Sequence, residues 1–324
     1  MLYQSLRELY DQPFFDLLSQ ARKVHEQHWP ADEVQLCTLL SIKTGTCPED
    51  CKYCSQSVHN QTDLESTPLM DVEEVRHQAR IAKEAGSGRF CMGAGWREPR
   101  DDAEFEQVLS MVREVRALGM EACVTLGMLN QDQAQRLKEA GLTSYNHNID
   151  TSPEYYSSII TTRTFDDRIQ TLQNVTNADL KVCSGGILGL GESIDDRLRM
   201  IEVLSELSPQ PESVPVNRLV PIAGTPLENN EPVEAFEMCR IISLTRIAIP
   251  GARVRLSAGR EGLSDEAQAL CFFAGAISIF YGGRLLTTDN VTEDRDLALI
   301  KKLGLKAQQE TRKVHLDVEP EPAR

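Results

Sequence analysis

The chain has 324 residues, a formal net charge of −15 and nine cysteines. That acidic balance argues against a protein that grips a nucleic-acid backbone, which needs a basic face. No apolar run approaches the ~18 residues of a membrane span. The opening MLYQSLRELYDQPFFDLL carries Glu8, Asp11 and Asp16 and does not read as a secretory signal. With an odd cysteine count, this predicts a soluble protein of a reducing cytoplasm, its thiols used for metal or catalysis rather than disulfides.

In chain order, residues 1–30 read as an N-terminal helical extension. The first strand candidate is QLCTLLSI, 35–42. A helix follows from Asp71 to Ala85, with Val72, Val75, Ala79 and Ala82 on one face and Gly86 as its stop. Strand 89–95 precedes helix 102–118, whose stripe is Phe105, Val108, Leu109, Val112 and Val115, ended by Gly119. Strand 121–127, helix 131–140 and strand 144–150 come next. Helix 166–177 carries Ile169, Leu172 and Val175. Strand 181–187 leads to a capping box at Ser193 and Asp196, which opens a helix bearing Leu198, Ile201 and Leu204. Strands 213–220, 253–258 and 276–281 alternate with helices near 232–247, 264–275 and 294–303. This alternation predicts an α/β fold, a (β/α)8 TIM-type barrel of parallel strands over residues 31–313. An open doubly wound sheet is the other arrangement, but no GxGxxG turn follows a strand. Residues 314–324, acidic and proline-containing, read as a disordered tail.

After the first strand comes CPEDCKYC, with Cys47, Cys51 and Cys54 in eight positions and no fourth cysteine before Cys91. His59 offers one completion, a Cys3His zinc site. The other is a [4Fe–4S] cube held at three corners, whose fourth iron is left for a small molecule. The loop follows a barrel strand, so it falls at the C-terminal mouth, where such folds keep their sites.

Buried parallel strands should be rich in Val, Ile and Leu. Here Cys91, Cys123 and Cys183 sit mid-strand, as do Asn148, Asp150, Asn217 and Arg255. A buried cysteine is often a small hydrophobe. A buried arginine cannot shed its charge and needs a partner. Three thiols and one cation facing one axis suit a second iron–sulfur centre, with the arginine as counter-charge.

The triplet CxxxCxxC resembles the signature of the radical S-adenosylmethionine enzymes. The resemblance implies that S-adenosylmethionine chelates the open iron and is cleaved to a 5′-deoxyadenosyl radical. It also puts Tyr53 beside the adenine. From about residue 5 to 313 the chain is similar to the biotin synthases. The match is carried by CPEDCKYCSQS, FCMGAGWREP, EACVTLG, YNHNIDTSPEYY, KVCSGGILGLGES, VPVNRLVPIAGTPL and RVRLSAGRE. That family implies a [4Fe–4S] cluster on Cys47, Cys51 and Cys54. It implies a [2Fe–2S] cluster on Cys91, Cys123, Cys183 and Arg255, the source of the sulfur inserted into dethiobiotin to give biotin. Asn148 and Asn217 match positions near the ureido group, Asp150 the ribose contact, and Arg168 the partner of the cofactor carboxylate. A helix-face role in solvent is the alternative for Arg168. No side chain is expected to act as acid or base, because the cofactors carry the radical chemistry. A homodimer and a flavodoxin-type electron donor are further implications.

The loop VPIAGTPL departs from the family pattern near Ile222 and Ala223, away from any ligand position. Cys37, Cys239 and Cys271 match no ligand position and are expected to pack. The glycines of GAGW and GGILGLG would let backbone approach a cofactor, although tight turns account for them equally. Other radical enzymes, such as a hydrogenase maturase or a pyrrolysine-pathway mutase, share the triplet but not the set Cys91, Cys123, Cys183 and Arg255. An iron–sulfur electron carrier or a zinc-structured module is the non-enzymatic alternative.

Overall fold

The computed structural model describes residues 1–308, so the tail read over 314–324 lies outside the described residues. Two helices come first, α1 (Tyr3–Tyr10) and α2 (Phe14–His28). They are followed by β1 (Glu33–Lys43), α3 (Val72–Glu84), β2 (Arg89–Ala94), α4 (Ala103–Ala117), β3 (Glu121–Thr125), α5 (Gln131–Glu139), β4 (Ser144–Asn146), α6 (Pro153–Tyr156) and α7 (Phe165–Asn177). The second half has β5 (Lys181–Cys183), β6 (Gly186–Leu188), α8 (Ile194–Glu206), β7 (Ser213–Arg218), α9 (Ala235–Ala248), β8 (Arg253–Leu256), α10 (Asp265–Phe273), β9 (Ser278–Phe280), α11 (Glu293–Lys302) and β10 (Lys306–Ala307).

The strands form one sheet in the order β10-β1-β2-β3-β4-β5-β7-β8-β9, with β6 on β7, and it closes where β9 pairs with β1. Every pairing in it is parallel. Counting β5 and β6 as one interrupted strand and leaving β10 outside, this is the closed eight-strand (β/α)8 barrel. The helices pack their apolar stripes on it: Phe105, Val108, Leu109, Val112 and Val115 of α4 are all buried. The capping box read at Ser193 and Asp196 opens α8. Among the described residues no helix is long and apolar enough to cross a membrane.

Most expected strands end earlier than their sequences suggest, and the breaks within 181–187 and 144–150 have local causes. Residues 181–187 were expected to run unbroken, but the ladder stops after Cys183 and resumes at Gly186. Its neighbour β7 carries Pro215, which has no N–H to donate. A Cβ on Gly185 would also lie 2.0 Å from the Pro215 carbonyl oxygen. Residues 144–150 leave regular geometry after Asn146, and Asp150 takes a left-handed φ of 68°.

The N-terminal floor of the barrel is ionic. Arg89, Glu121 and Arg253 are the first residues of β2, β3 and β8, and Glu212 precedes β7. Arg89 Nε donates to Glu121 at 2.8 Å and its Nη2 to Glu212 at 2.9 Å, while Arg253 Nη1 also donates to Glu212. Burial opposes ionisation of Glu212, but Arg89 and Arg253 outweigh it and lower its pKa from 4.5 to about 2. A depressed carboxylate stabilises the fold above its unfolded pKa and loses that contribution as pH falls through the folded one.

Glu212→Gln should therefore cost about 3–5 kcal/mol at neutral pH, because it strips two buried guanidinium groups of their shared partner. Urea unfolding of the metal-free chain measures this. The gap from the unsubstituted protein should narrow as pH falls from 4.5 toward about 2.

Candidate active site

The loop after β1 carries the first thiol group. Cys47 and Cys54 are half-buried and Cys51 is buried. Asn60 Nδ2 donates to the carbonyls of Cys51 and Cys54 at 3.1 and 2.8 Å, which fixes the loop's curl. Arg163 Nη2 lies 3.7 Å from Cys51 Sγ. The buried Glu49 carboxylate accepts from Arg97 at 2.9 Å and lies 3.6 Å from Arg163 Nε. Burial raises all three thiols above the ordinary 9.0, Cys51 to about 12 and Cys54 to about 11. In the metal-free chain they are protonated at neutral pH, so loading a metal must displace protons.

Among the described residues no three His, Cys, Asp or Glu side chains converge on one ion position. His59 is exposed and its Nε2 meets the Pro48 carbonyl at 3.1 Å, so the Cys3His alternative gains no support. Three soft thiols beside a guanidinium suit an anionic iron–sulfur group.

The second thiol group lies deeper. Cys91 of β2 and Cys123 of β3 are register partners on the inner wall. The Cys91 thiol donates to Cys123, which lowers the Cys123 pKa to about 7, while Cys91 is raised well above its usual value. Asn146 Nδ2 reaches Cys183 Sγ at 3.3 Å. Arg255 Nη1 stands 4.0 Å from Cys183 Sγ. Arg255 is 1% exposed, and its Nε donates to Ser278 at 3.0 Å. Three buried thiols around a cation without a carboxylate fit a second anionic cluster on the same grounds.

A cavity of about 270 Å3 connects the two groups. Cys54 and Tyr53 line it on the loop side, and Cys91, Cys123 and Arg255 on the other. Asn148, Asp150 and Asn217 line it as well, whereas Cys47, Cys51, Cys183 and Arg168 stand behind its wall. Tyr53 donates its hydroxyl to Asp150 at 2.9 Å. Arg168 is buried, not on a solvated helix face: Nη2 pairs with Asp150, and Nε donates to Tyr156 at 2.9 Å. Asn148 Oδ1 accepts from Gly185 N at 3.2 Å. The Asn217 amide is used at both ends, giving to Gly186 O at 2.9 Å and accepting from Ala258 N at 3.3 Å.

Several site residues carried no signal in the sequence. Residues 285–288, after β9, wall the cavity, and Ser55 Oγ donates to Thr287 Oγ1 at 3.0 Å across to the cysteine loop. Ile222, where the chain departs from the family pattern, also lines the cavity. Cys37 lies 3.3 Å from Arg255 Nη2, whereas Cys239 and Cys271 pack against each other at 3.6 Å, far from the site in the helical layer. Of the glycines in those two motifs, Gly93, Gly95, Gly185, Gly186 and Gly191 are close-approach positions, Gly93 beside Leu286.

A closed barrel with a three-thiol loop at its C-terminal mouth defines a radical S-adenosylmethionine enzyme, and a model of the Radical SAM superfamily matches residues 41–204. A model of the Biotin and Thiamin Synthesis associated domain matches residues 215–306. Biotin synthase of Coxiella burnetii is 56% identical over 302 residues, covering 93% of this chain and 94% of that protein. Biotin synthase of Acinetobacter baumannii is 57% identical over 305 residues, covering 94% and 92%. The chain belongs to the biotin synthase family. A methylornithine synthase structure has a TM-score of 0.80 at 20% identity, covering 95% of this chain and 94% of that one. The [FeFe]-hydrogenase maturase HydG has 0.83 at 16%, covering 96% and 73%. These two share the fold.

Gly185→Ala should push β6 off β7 and so move Asn148 and Asn217 apart. The expected result is a destabilisation of about 1–3 kcal/mol or more, seen as a lower melting temperature, with loss of dethiobiotin binding.

Proposed function

We propose that this chain inserts sulfur into dethiobiotin with Cys47, Cys51 and Cys54 holding a [4Fe–4S] cluster and Cys91, Cys123, Cys183 and Arg255 holding a [2Fe–2S] cluster. The observation that carries this assignment is the single cavity reaching from Cys54 to Cys91, Cys123 and Arg255. When bound, the clusters supply an electron for S-adenosylmethionine cleavage and sulfide for the new carbon–sulfur bonds. Unactivated C–H bonds demand such a cofactor, since no acid or base in a side chain can break them.

The protein's part is binding, orientation and exclusion of water. Asp150 keeps one carboxylate oxygen on Tyr53 and Arg168, which leaves the other for ribose hydroxyls. Its left-handed backbone is strain of the kind that gathers at ligand clamps. Tyr53 presents its ring to the adenine, and Arg168, behind the cavity wall on Asp150, would have to turn from that pair to meet the cofactor carboxylate. Asn148 offers its Nδ2 to the ureido carbonyl, because its Oδ1 already accepts from Asn146 Nδ2 and Gly185 N. Asn217 does the same more weakly while tying Gly186 to Ala258. The apolar wall of Leu39, Leu285 and Leu286 keeps the reacting carbons dry. A homodimer, a flavodoxin-type donor and a cytoplasmic location complete the proposal.

Anaerobic incubation with dethiobiotin, S-adenosylmethionine and a reductant should yield biotin. Reconstituted protein should hold about six irons per chain, falling to about four in Cys91→Ala and about two in Cys47→Ala. Cys47→Ala should also abolish 5′-deoxyadenosine, whereas Cys91→Ala should keep forming it without biotin. Four irons in the unsubstituted protein would sink the second-cluster assignment. Asn148→Ala should raise KM for dethiobiotin about tenfold or more, the cost of a buried hydrogen bond left unmade.

A further inference from the structure

The Arg255 guanidinium is held on three sides. Its Nε donates to Ser278 Oγ at 3.0 Å and its Nη2 to Cys37 Sγ at 3.3 Å. Its plane lies over the Phe280 ring at 4.8 Å. Nη1 takes part in none of these contacts and lies 4.0 Å from Cys183 Sγ. Ser278 and Cys37 are themselves oriented by one group. The Cys37 thiol donates to Gln35 Oε1 at 3.4 Å, and the Ser278 hydroxyl donates to the same oxygen at 3.1 Å. The Gln35 amide cannot be turned over, because its Nε2 donates to the Glu121 carboxylate at 3.3 Å, and a carboxylate paired with Arg89 only accepts.

Strand register makes this arrangement compact. Ser278 is paired with both Gln35 and Arg255, and Gln35 and Cys37 point inward from alternate positions of β1. All four groups are buried, with exposures of 4% for Gln35, 0% for Cys37 and Ser278, and 1% for Arg255. Because both hydrogens are spent on Gln35, the sulfur and oxygen turn their lone pairs to Arg255. Neither Gln35 nor Cys37 lines the cavity, so neither is placed to touch substrate.

We propose that Gln35 and Cys37 are positioning residues that, with Ser278, select which nitrogen of Arg255 faces the second cluster. The inference rests on the reading of Arg255 as a ligand. A ligand held by oriented partners resists loss of its metal, and removing such a partner commonly costs tenfold or more in retention.

The test uses the full chain, anaerobically reconstituted with iron and sulfide, in unsubstituted form and as Cys37→Ala, Cys37→Ser and Gln35→Met. Each is challenged with an iron chelator while the visible spectrum is followed. Cys37→Ala should release the iron of the second cluster about tenfold faster and shift its absorption bands. Cys37→Ser keeps a donor and an acceptor at the same place and should behave as the unsubstituted protein. Gln35→Met keeps length without the acceptor oxygen and should move in the direction of alanine, which preserves the test if Cys37→Ala does not fold. Alanine and methionine variants that release iron at the unsubstituted rate would overturn the inference. So would a serine variant as labile as alanine, since sulfur bulk alone would then matter. A count of about four irons in the unsubstituted chain removes the ligand reading itself, while about six with insensitive variants removes only the positioning role.

Discussion

A guanidinium group buried on the axis of a parallel barrel keeps its charge, so the strands around it must supply partners. Three arginines of the barrel strands, Arg89, Arg253 and Arg255, are buried, and they are satisfied differently. Arg89 and Arg253 meet Glu121 and Glu212 at the floor, where the charges balance and the network closes the barrel's end. Arg255, one layer up, has no carboxylate within ion-pair distance among the described residues and meets a thiol and a hydroxyl instead. The positive charge left over there, among Cys91, Cys123 and Cys183, is the charge that the proposed second cluster would neutralise. Carboxylates make the floor a closed ionic network, and the layer above it is held by neutral partners instead.

The mouth of the barrel repeats this logic with other residues. Arg163 stands between the Glu49 carboxylate and the Cys51 sulfur, so part of its charge is directed at the thiol loop. Arg168 is matched by Asp150, which lines the cavity from a left-handed backbone. The interruption of the ladder around Pro215 and Gly185 belongs here too, because it frees the backbone where Asn148 and Asn217 face the cavity. Irregular geometry is concentrated at the ends of β4 and β5 and beside Pro215 of β7, close to Asn148, Asp150 and Asn217, which line the cavity.

The comparison with methylornithine synthase and HydG separates scaffold from site. At 20% and 16% identity the barrel persists with TM-scores of 0.80 and 0.83. A barrel core tolerates extensive apolar exchange if volume and pattern are kept, so such likeness carries architecture and leaves chemistry open. Identity of 56% to 57% over more than nine-tenths of the chain, with biotin synthases of two organisms, carries the family.

The strand–helix alternation, the helix stops at Gly86 and Gly119 and the capping box at Ser193 were legible in the residues, because periodicity and caps are local. So was the thiol loop, whose ligands lie within eight positions of one another. The inner-wall thiols and Arg255 stood out only as polar residues in strands that should be apolar, and their assignment as ligands came from family resemblance. What no local pattern encodes is which side chains from distant strands share a layer. Barrel closure brings Gln35 and Cys37 of β1 against Ser278 of β9 and Arg255 of β8, buries Arg168 against Asp150, and folds residues 285–288 over the cavity. The sequence by itself determined the elements and the chemistry available to them. The tertiary structure decided which of those groups meet, because register and closure depend on contacts between residues more than 240 positions apart.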